Sequence, residues 1–279
     1  MAHMIGEAAR YTTDQSIRVF QRMLIAMMLM IAVLGIFEGA LVSFIVLRWG
    51  HTSWIHVGLV LLGAVGALGL CKYQARRIDH YERERKTWRK GAIGECMVAD
   101  VLGALSDDYW VINDVTTEFG NLDHVVVGPT GVFAIETKNW RGTIAANSDG
   151  ELVLNGKAAS TPHIKHFVHR TMGVREQVLT LTSRGELFVK AVMVFPRARV
   201  DAQFGTTPHV HCLTEEAVCA YIENPKYARK LNPKEVDRIV RAFTGIAGMD
   251  AGFSATATAA VNRTRNEPEV VATIAPNRT

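Results

Sequence analysis

The chain has 279 residues, of which 48% are hydrophobic and 21% charged, and its formal net charge is +4. Its mean hydropathy of +0.10 is high for a wholly soluble chain, and the excess sits in residues 23–71, which are almost uncharged. This balance excludes wholesale disorder, a collagen-like fibre and a small disulfide scaffold, and the length suits about two domains at ~150 residues each.

Residues 1–22 read as a short N-terminal segment. Residues 23–47 then form an apolar run in which Glu38 is the one charge. At ~1.5 Å per residue a helix of this length exceeds the ~30 Å hydrocarbon core of a bilayer. Residues 54–71 form a second such run, with His56 near its start and no acid or base beyond it. The two are joined by residues 48–53 alone, which predicts a transmembrane α-hairpin over 23–72. A cleaved signal peptide is disfavoured, because the first run is too long and no small-residue cleavage site follows it. Glu38, in mid-span, is either functional or a protonated or paired group at a helix contact beside Gly35 and Gly39. Gly58, Gly63, Gly66 and Gly69 in the second span predict close helix packing, as in a simple anchor.

Arg10, Arg18 and Arg22 precede the first span. Lys72, Arg76, Arg77, Arg83, Arg85, Lys86, Arg89 and Lys90 follow the second, against Asp79, Glu82 and Glu84. Arg48 is alone in the connection. The positive-inside rule then gives a multi-pass protein of the inner or plasma membrane, with both termini and the soluble part cytoplasmic. Residues 73–90 are expected to continue the second helix and to touch anionic headgroups of the lipid bilayer, each cation contributing ~1 kcal/mol; the other possibility is that they guide nucleic acid to the domain that follows.

From Gly91 the pattern becomes that of a globular domain, expected over 91–248. In a helix over 92–105, Val98, Ala99, Leu102 and Leu105 form one face. Glu95 precedes Val98 by three and Ala99 by four, so it shares that inward face. A carboxylate there is paired, metal-bound or neutralised, unless it is a partly exposed first-turn residue complementing the helix dipole. Strands follow at 110–115, 122–127 and 132–138, with the turn Gly128-Pro129-Thr130-Gly131 between the last two. If that turn closes a hairpin with Val127 opposite Val132, Asp123 falls opposite Glu136, and directly opposed side chains share a face. Lys138, two residues on, projects to the same face. Two carboxylates this close repel unless one is protonated or a cation lies between them. Mg²⁺ or Mn²⁺ suits such hard oxygen ligands, and Lys138 is placed to orient a water or stabilise a phosphate. The alternative is a cross-strand ion pair on a solvated face.

Three stretches carry a family resemblance: Gly91-x-x-Gly94-Glu95; Asn121-Leu122-Asp123-His124-Val125-Val126-Val127-Gly128; and Gly131-Val132-Phe133-Ala134-Ile135-Glu136-Thr137-Lys138-Asn139-Trp140-x-Gly142-x-Ile144. Together they resemble the nuclease-related domain (NERD), grouped with the PD-(D/E)XK nuclease superfamily, over about Gly91 to Phe243. The resemblance implies an α/β fold with a mixed central sheet flanked by helices, restriction-endonuclease-like, here preceded by the transmembrane α-hairpin. It implies Asp123 and Glu136 as ligands of Mg²⁺ or Mn²⁺, Lys138 beside the attacking water, and Glu95 as a further acid. The function it implies is hydrolysis of nucleic acid, DNA before RNA. The family's Pro-x-x-Gln at the start of the next helix is not matched, since Lys165 stands three residues after Pro162, with Gln177, His166 and His169 further along. That departure leaves two alternatives: a nucleic-acid-binding module without turnover, and a membrane-tethered scaffold for a protein.

His124, His163, His166 and His169 are expected at the surface or facing phosphate rather than on zinc. The four cysteines, Cys71, Cys96, Cys212 and Cys219, form no C-x-x-C pair, which argues against a zinc site or a disulfide framework. The remainder predicts a hairpin turning at Asn155-Gly156, a helix over 162–181, strands at 189–195 and 210–213, and a helix over 215–222. Asn232, Pro233 and Glu235 predict a capped last helix with Val236, Ile239, Val240 and Phe243 inward. Residues 249–279 read as a disordered tail.

Overall fold

The computed structural model describes residues 1–48, 54–201, 210–224, 226 and 229–248. Both the 49–53 part of the interhelical connection and the tail expected at 249–279 lie outside them. The chain divides into two units, one of Arg10–Ala92 and one that joins Met1–Ala9 to the chain from Ile93 onward.

The first unit consists of α1 (Arg10–Arg48) and the larger part of α2 (Trp54–Leu102). Both helices are long and apolar enough to cross a membrane, and their most apolar stretches are almost wholly exposed. They outrun the expected spans because the flanking residues, rich in Arg, Lys, Glu and Gln, are themselves strong helix formers. The stretch 73–90 is accordingly helical throughout, with Lys86 bonded to Glu82 at 2.8 Å and Arg85 over the Phe20 ring at 5.6 Å. The expected glycine seam is not found. A Cβ on Gly63 would lie 3.5 Å from Phe37, whereas Gly35, Gly39, Gly58, Gly66 and Gly69 face open space. Aromatic side chains fill the contact instead, with Phe44 and His56 centred 5.9 Å apart. Glu38 is exposed.

The second unit is mixed α/β. Its six-stranded sheet has the order β1-β2-β3-β4-β8-β10. These strands are β1 (His3–Ile5), β2 (Trp110–Thr117), β3 (Gly120–Gly128), β4 (Gly131–Thr137), β8 (Val189–Phe195) and β10 (Val210–Thr214). β2, β3 and β4 form an antiparallel meander, while β8 and β10 continue in parallel, as crossovers through helices require. A second sheet, β7-β6-β5-β9, comprises β5 (Gly142–Ala146), β6 (Leu152–Leu154), β7 (Lys157–Ala158) and β9 (Ala198–Val200). The β6–β7 turn has positive φ at Asn155 (50°) and Gly156 (79°), as a type I′ turn demands.

Helices cover both faces of the large sheet. Val125, Val127, Ala134 and Met193 pack with Phe167, Val174 and Val178 of α3 (His163–Thr182) and with Ile239 and Phe243 of α5 (Pro233–Gly248). Val126, Phe133, Ile135 and Val192 pack with Val98 and Leu102 of α2 and with Val218 and Ile222 of α4 (Glu215–Glu223). Every residue of β4 is buried, as in a strand covered on both sides. α5 starts with the expected reciprocal cap: Glu235 N–H donates to Asn232 Oδ1 at 3.0 Å, and Asn232 N–H to Glu235 Oε2 at 2.9 Å.

His124 is not at the surface. It is fully buried, because the face it occupies is covered and not solvated. Its Nδ1 lies 2.8 Å from Asn113 Oδ1, and Asn113 Nδ2 donates to Gly6 O at 3.2 Å, which ties the N-terminal segment to the meander. Burial pushes its pKa from the usual 6.5 down to about 4. The unfolded chain therefore binds a proton that the folded chain refuses between those values. Stability is expected to fall as pH drops through this window, by up to ~1.4 kcal/mol per pH unit. Urea midpoints of wild type and His124→Gln between pH 7 and pH 4 check this: the variant should show the shallower slope, by about one proton, and equal slopes would refute the assignment.

Candidate functional site

The four-residue turn closes the β3–β4 hairpin with Val127 paired to Val132 and His124 to Ile135. One step further, the same register sets Asp123 across from Glu136. Alternation puts both on the face of Val125, Val127 and Ala134, and Thr137 N–H donates to Asp123 Oδ2 at 2.6 Å. Lys138 lies just past β4, where its N–H donates to Val194 O at 2.9 Å and prolongs the pairing with β8. Its Nζ donates to Glu136 Oε1 at 2.6 Å.

Glu95 stands on the inward face of α2 beside Val98 and Ala99 and is 4% exposed. Gly94 lets this turn approach the end of β4: a Cβ there would lie 2.6 Å from the Asn139 Cβ. The structure thus brings together Asp123, Glu136 and Lys138, with Glu95 near enough for its charge to act on Asp123.

It adds a residue that sequence reasoning missed. Arg170, on α3, reaches Glu136, with Nη2 at 2.9 Å from Oε2, while Nη1 donates to Asn121 O at 2.7 Å. The signal was present. Ile164, Phe167, Thr171, Val174 and Val178 form the buried stripe of α3, and Arg170 follows Phe167 by three and precedes Val174 by four. That is the pattern that singled out Glu95.

The two opposed carboxylates are driven apart electrostatically. Burial pushes the Asp123 pKa up, and Glu136 and Glu95 push it further, so that it stands well above the usual carboxylate range. Burial also acts to raise Glu136, but the cations Lys138 and Arg170 outweigh it and hold this group low. Burial opposes the charge on Lys138, and the carboxylates of Glu136 and Asp123 more than restore it. One carboxylate is held ionised while the other favours its proton, a division found where carboxylates do chemistry.

Among the described residues no group of three or more His, Cys, Asp and Glu side chains forms a ready-made cage for an ion. The donors at hand, Asp123 and Glu136 with Glu95 nearby, are hard oxygens. They suit Mg²⁺ or Mn²⁺, which keep several waters and use one or two carboxylates. The charges of Glu136 and Glu95 add to burial in raising the Asp123 pKa, and a cation between the carboxylates would neutralise that mutual repulsion.

The start of α3 differs from the Pro-x-x-Gln pattern in substance too. Glu151 caps it, accepting from Ile164 N–H at 3.1 Å and Lys165 N–H at 2.9 Å, and Lys165 is exposed. Gln177 donates to Glu118 Oε1 at 3.0 Å. His163 is half-buried against the edge of Trp140, with ring centres 5.2 Å apart, and its pKa is lowered by burial first and then by Lys138. His166 and His169 are exposed, as expected.

Residues 90–196 match the family model of the nuclease-related domain. This segment is similar to the nuclease-related domain. It contains Glu95, Asp123, Glu136, Lys138 and Arg170, and the match ends at Pro196, short of the boundary near Phe243 that the resemblance implied. Over 61 residues the chain is also 44% identical to a protein of Bacillus anthracis described as uncharacterized, covering 20% of this chain and 29% of that relative. The chain thus spans less than a third of the relative's length. No solved structure matches it.

Proposed function

We propose that the NERD segment is a divalent-metal-dependent phosphodiesterase acting on nucleic acid, DNA being its first candidate substrate, and that the α1–α2 hairpin anchors it in a membrane with the domain on the cytoplasmic side. The observation that carries the enzymatic reading is the opposition of Asp123 and Glu136 on one buried face, with Lys138 bonded to Glu136 at 2.6 Å. The anchoring reading rests on the length and apolarity of the two helices and on the basic residues that flank them.

Asp123 and Glu136 would hold the ion, and Glu95 would add negative potential behind Asp123. Bound there, Mg²⁺ would supply Lewis acidity at a phosphoryl oxygen and acidify a water. Lys138, about one-fifth exposed, borders the same space through its contact with Glu136 and can orient an incoming water. Its ammonium can also offset charge that builds on the phosphoryl oxygens as the water oxygen bonds to phosphorus and the ester oxygen departs. A binding module without turnover is favoured by a different observation, that both oxygens of Glu136 already face cations.

The test is incubation of the full chain in detergent with supercoiled plasmid and with single-stranded DNA and RNA, with Mg²⁺ or Mn²⁺ against a chelator. Divalent-dependent cleavage is expected, lowered about 100-fold or more in Lys138→Ala. Undiminished cleavage in that variant would sink the assignment. Salt-sensitive binding without cleavage would point to the module, and no binding at low salt to a scaffold for a protein.

A further inference from the structure

We infer that Arg170 is a resident counter-ion that a divalent ion displaces from Glu136, and that it thereby sets the metal affinity of the site. The inference deepens the metal-dependent reading above and rests on it.

Each oxygen of the Glu136 carboxylate faces a cation. Lys138 Nζ holds Oε1 at 2.6 Å, and Arg170 Nη2 holds Oε2 at 2.9 Å. On the opposing strand, Asp123 Oδ2 accepts from Thr137 N–H. An ion entering between the two acids therefore meets a Glu136 with neither oxygen free of positive charge. Each oxygen keeps a further lone pair, but both cations repel the incoming ion, and moving one of them away relieves that repulsion.

Arg170 is built to be the one that moves. Lys138 follows Glu136 by two residues on the same run of chain and is fixed by its own N–H to Val194 O. Arg170 comes from a different element at the end of a long flexible stem. Its guanidinium does not fork onto the carboxylate, the strong bidentate arrangement. It gives one nitrogen to Glu136 and another to Asn121 O, so the contact with Glu136 is single. The carbonyl of Asn121 still holds Arg170 once Glu136 is released. Because a guanidinium does not lose its proton in proteins, it can yield by moving and not by neutralising.

The path of this side chain is reserved by the backbone. Gly120, at φ +116°, starts β3, and a Cβ there would lie 2.8 Å from Arg170 Cδ. Any larger residue would both strain the backbone and push the stem away from Asn121 and Glu136.

Titration calorimetry of the full-length protein in detergent with Mn²⁺ alone, without nucleic acid, tests the inference. Arg170→Gln is expected to bind Mn²⁺ at least about tenfold more tightly than wild type, because close buried charge pairs carry couplings of that size or more. Arg170→Lys keeps the charge but cannot span both partners, and a several-fold gain is expected. It also serves if the glutamine variant fails to fold by circular dichroism. Equal or weaker Mn²⁺ binding in the folded variants, with wild type binding measurably, overturns the inference and leaves the metal reading intact; weaker binding would make Arg170 a residue that positions Glu136. No Mn²⁺ binding by wild type or either variant defeats the metal reading itself, and the inference with it.

Discussion

Glu136→Gln is expected to destabilise the α/β unit by about 3 kcal/mol, as breaking a buried ion pair from one side does. The amide removes the one carboxylate that Lys138 and Arg170 both contact, at 2.6 and 2.9 Å on a side chain that is 4% exposed, and leaves Asp123 as a more distant counter-charge for Lys138. Both cations are only about one-fifth exposed, so each escapes to water in part, which sets the estimate at the lower end of the range. Metal-dependent activity should be lost in the same variant. Urea unfolding of the full chain in detergent, followed by tryptophan fluorescence, reads the stability. An unchanged midpoint would show that the two cations are solvated and that Glu136 does not organise them.

Asp123→Asn is expected to act in the opposite sense on stability while still abolishing activity. Asp123 is buried and repelled by Glu136 and Glu95, so its folded pKa lies above the usual 3.8. Its favourable contribution is full below pH 3.8 and is lost as pH rises through the raised folded value. The neutral amide keeps an oxygen for Thr137 N–H. The variant should therefore gain about 1–2 kcal/mol at pH 7 without metal, an advantage that shrinks towards pH 4. Mn²⁺ should reverse the order, because an ion that binds only the folded wild type raises its stability by mass action. Thermal melts at pH 4 and pH 7, with and without Mn²⁺, distinguish these cases. A less stable variant at pH 7 would mean that Asp123 is satisfied as an anion.

The acid–acid–lysine arrangement was legible because one local feature governs it. Gly128 to Gly131 fixes the hairpin, and the two-residue period of strands then dictates which side chains oppose each other. Glu95 was legible as a charge on an apolar helix stripe. Arg170 breaks the same rule on α3, but an arginine beside an apolar stripe ordinarily carries its charge out to solvent on a long stem, so spacing alone does not mark it as an inward group. His124 was misjudged for a different reason. Alternation shows that it faces away from Asp123, but not that this second face is covered by α2 and α4. The strands β1, β5 and β9 have 3, 5 and 3 residues, too short for periodicity to stand out. β1 in particular forms only through pairing with residues more than a hundred positions away.

That strand carries a topological consequence. His3, Met4 and Ile5 run alongside Trp110, Val111 and Ile112 in the sheet that bears the site. The chain leaves this folded body after Ala9 and rejoins it at Ile93, so the helical excursion between is a closed loop in the topological sense. Such a loop can thread a bilayer only an even number of times. Were the excursion to enter a bilayer, a single crossing would require β1 to be torn from its neighbour, so a strand of three residues would set the parity of any insertion.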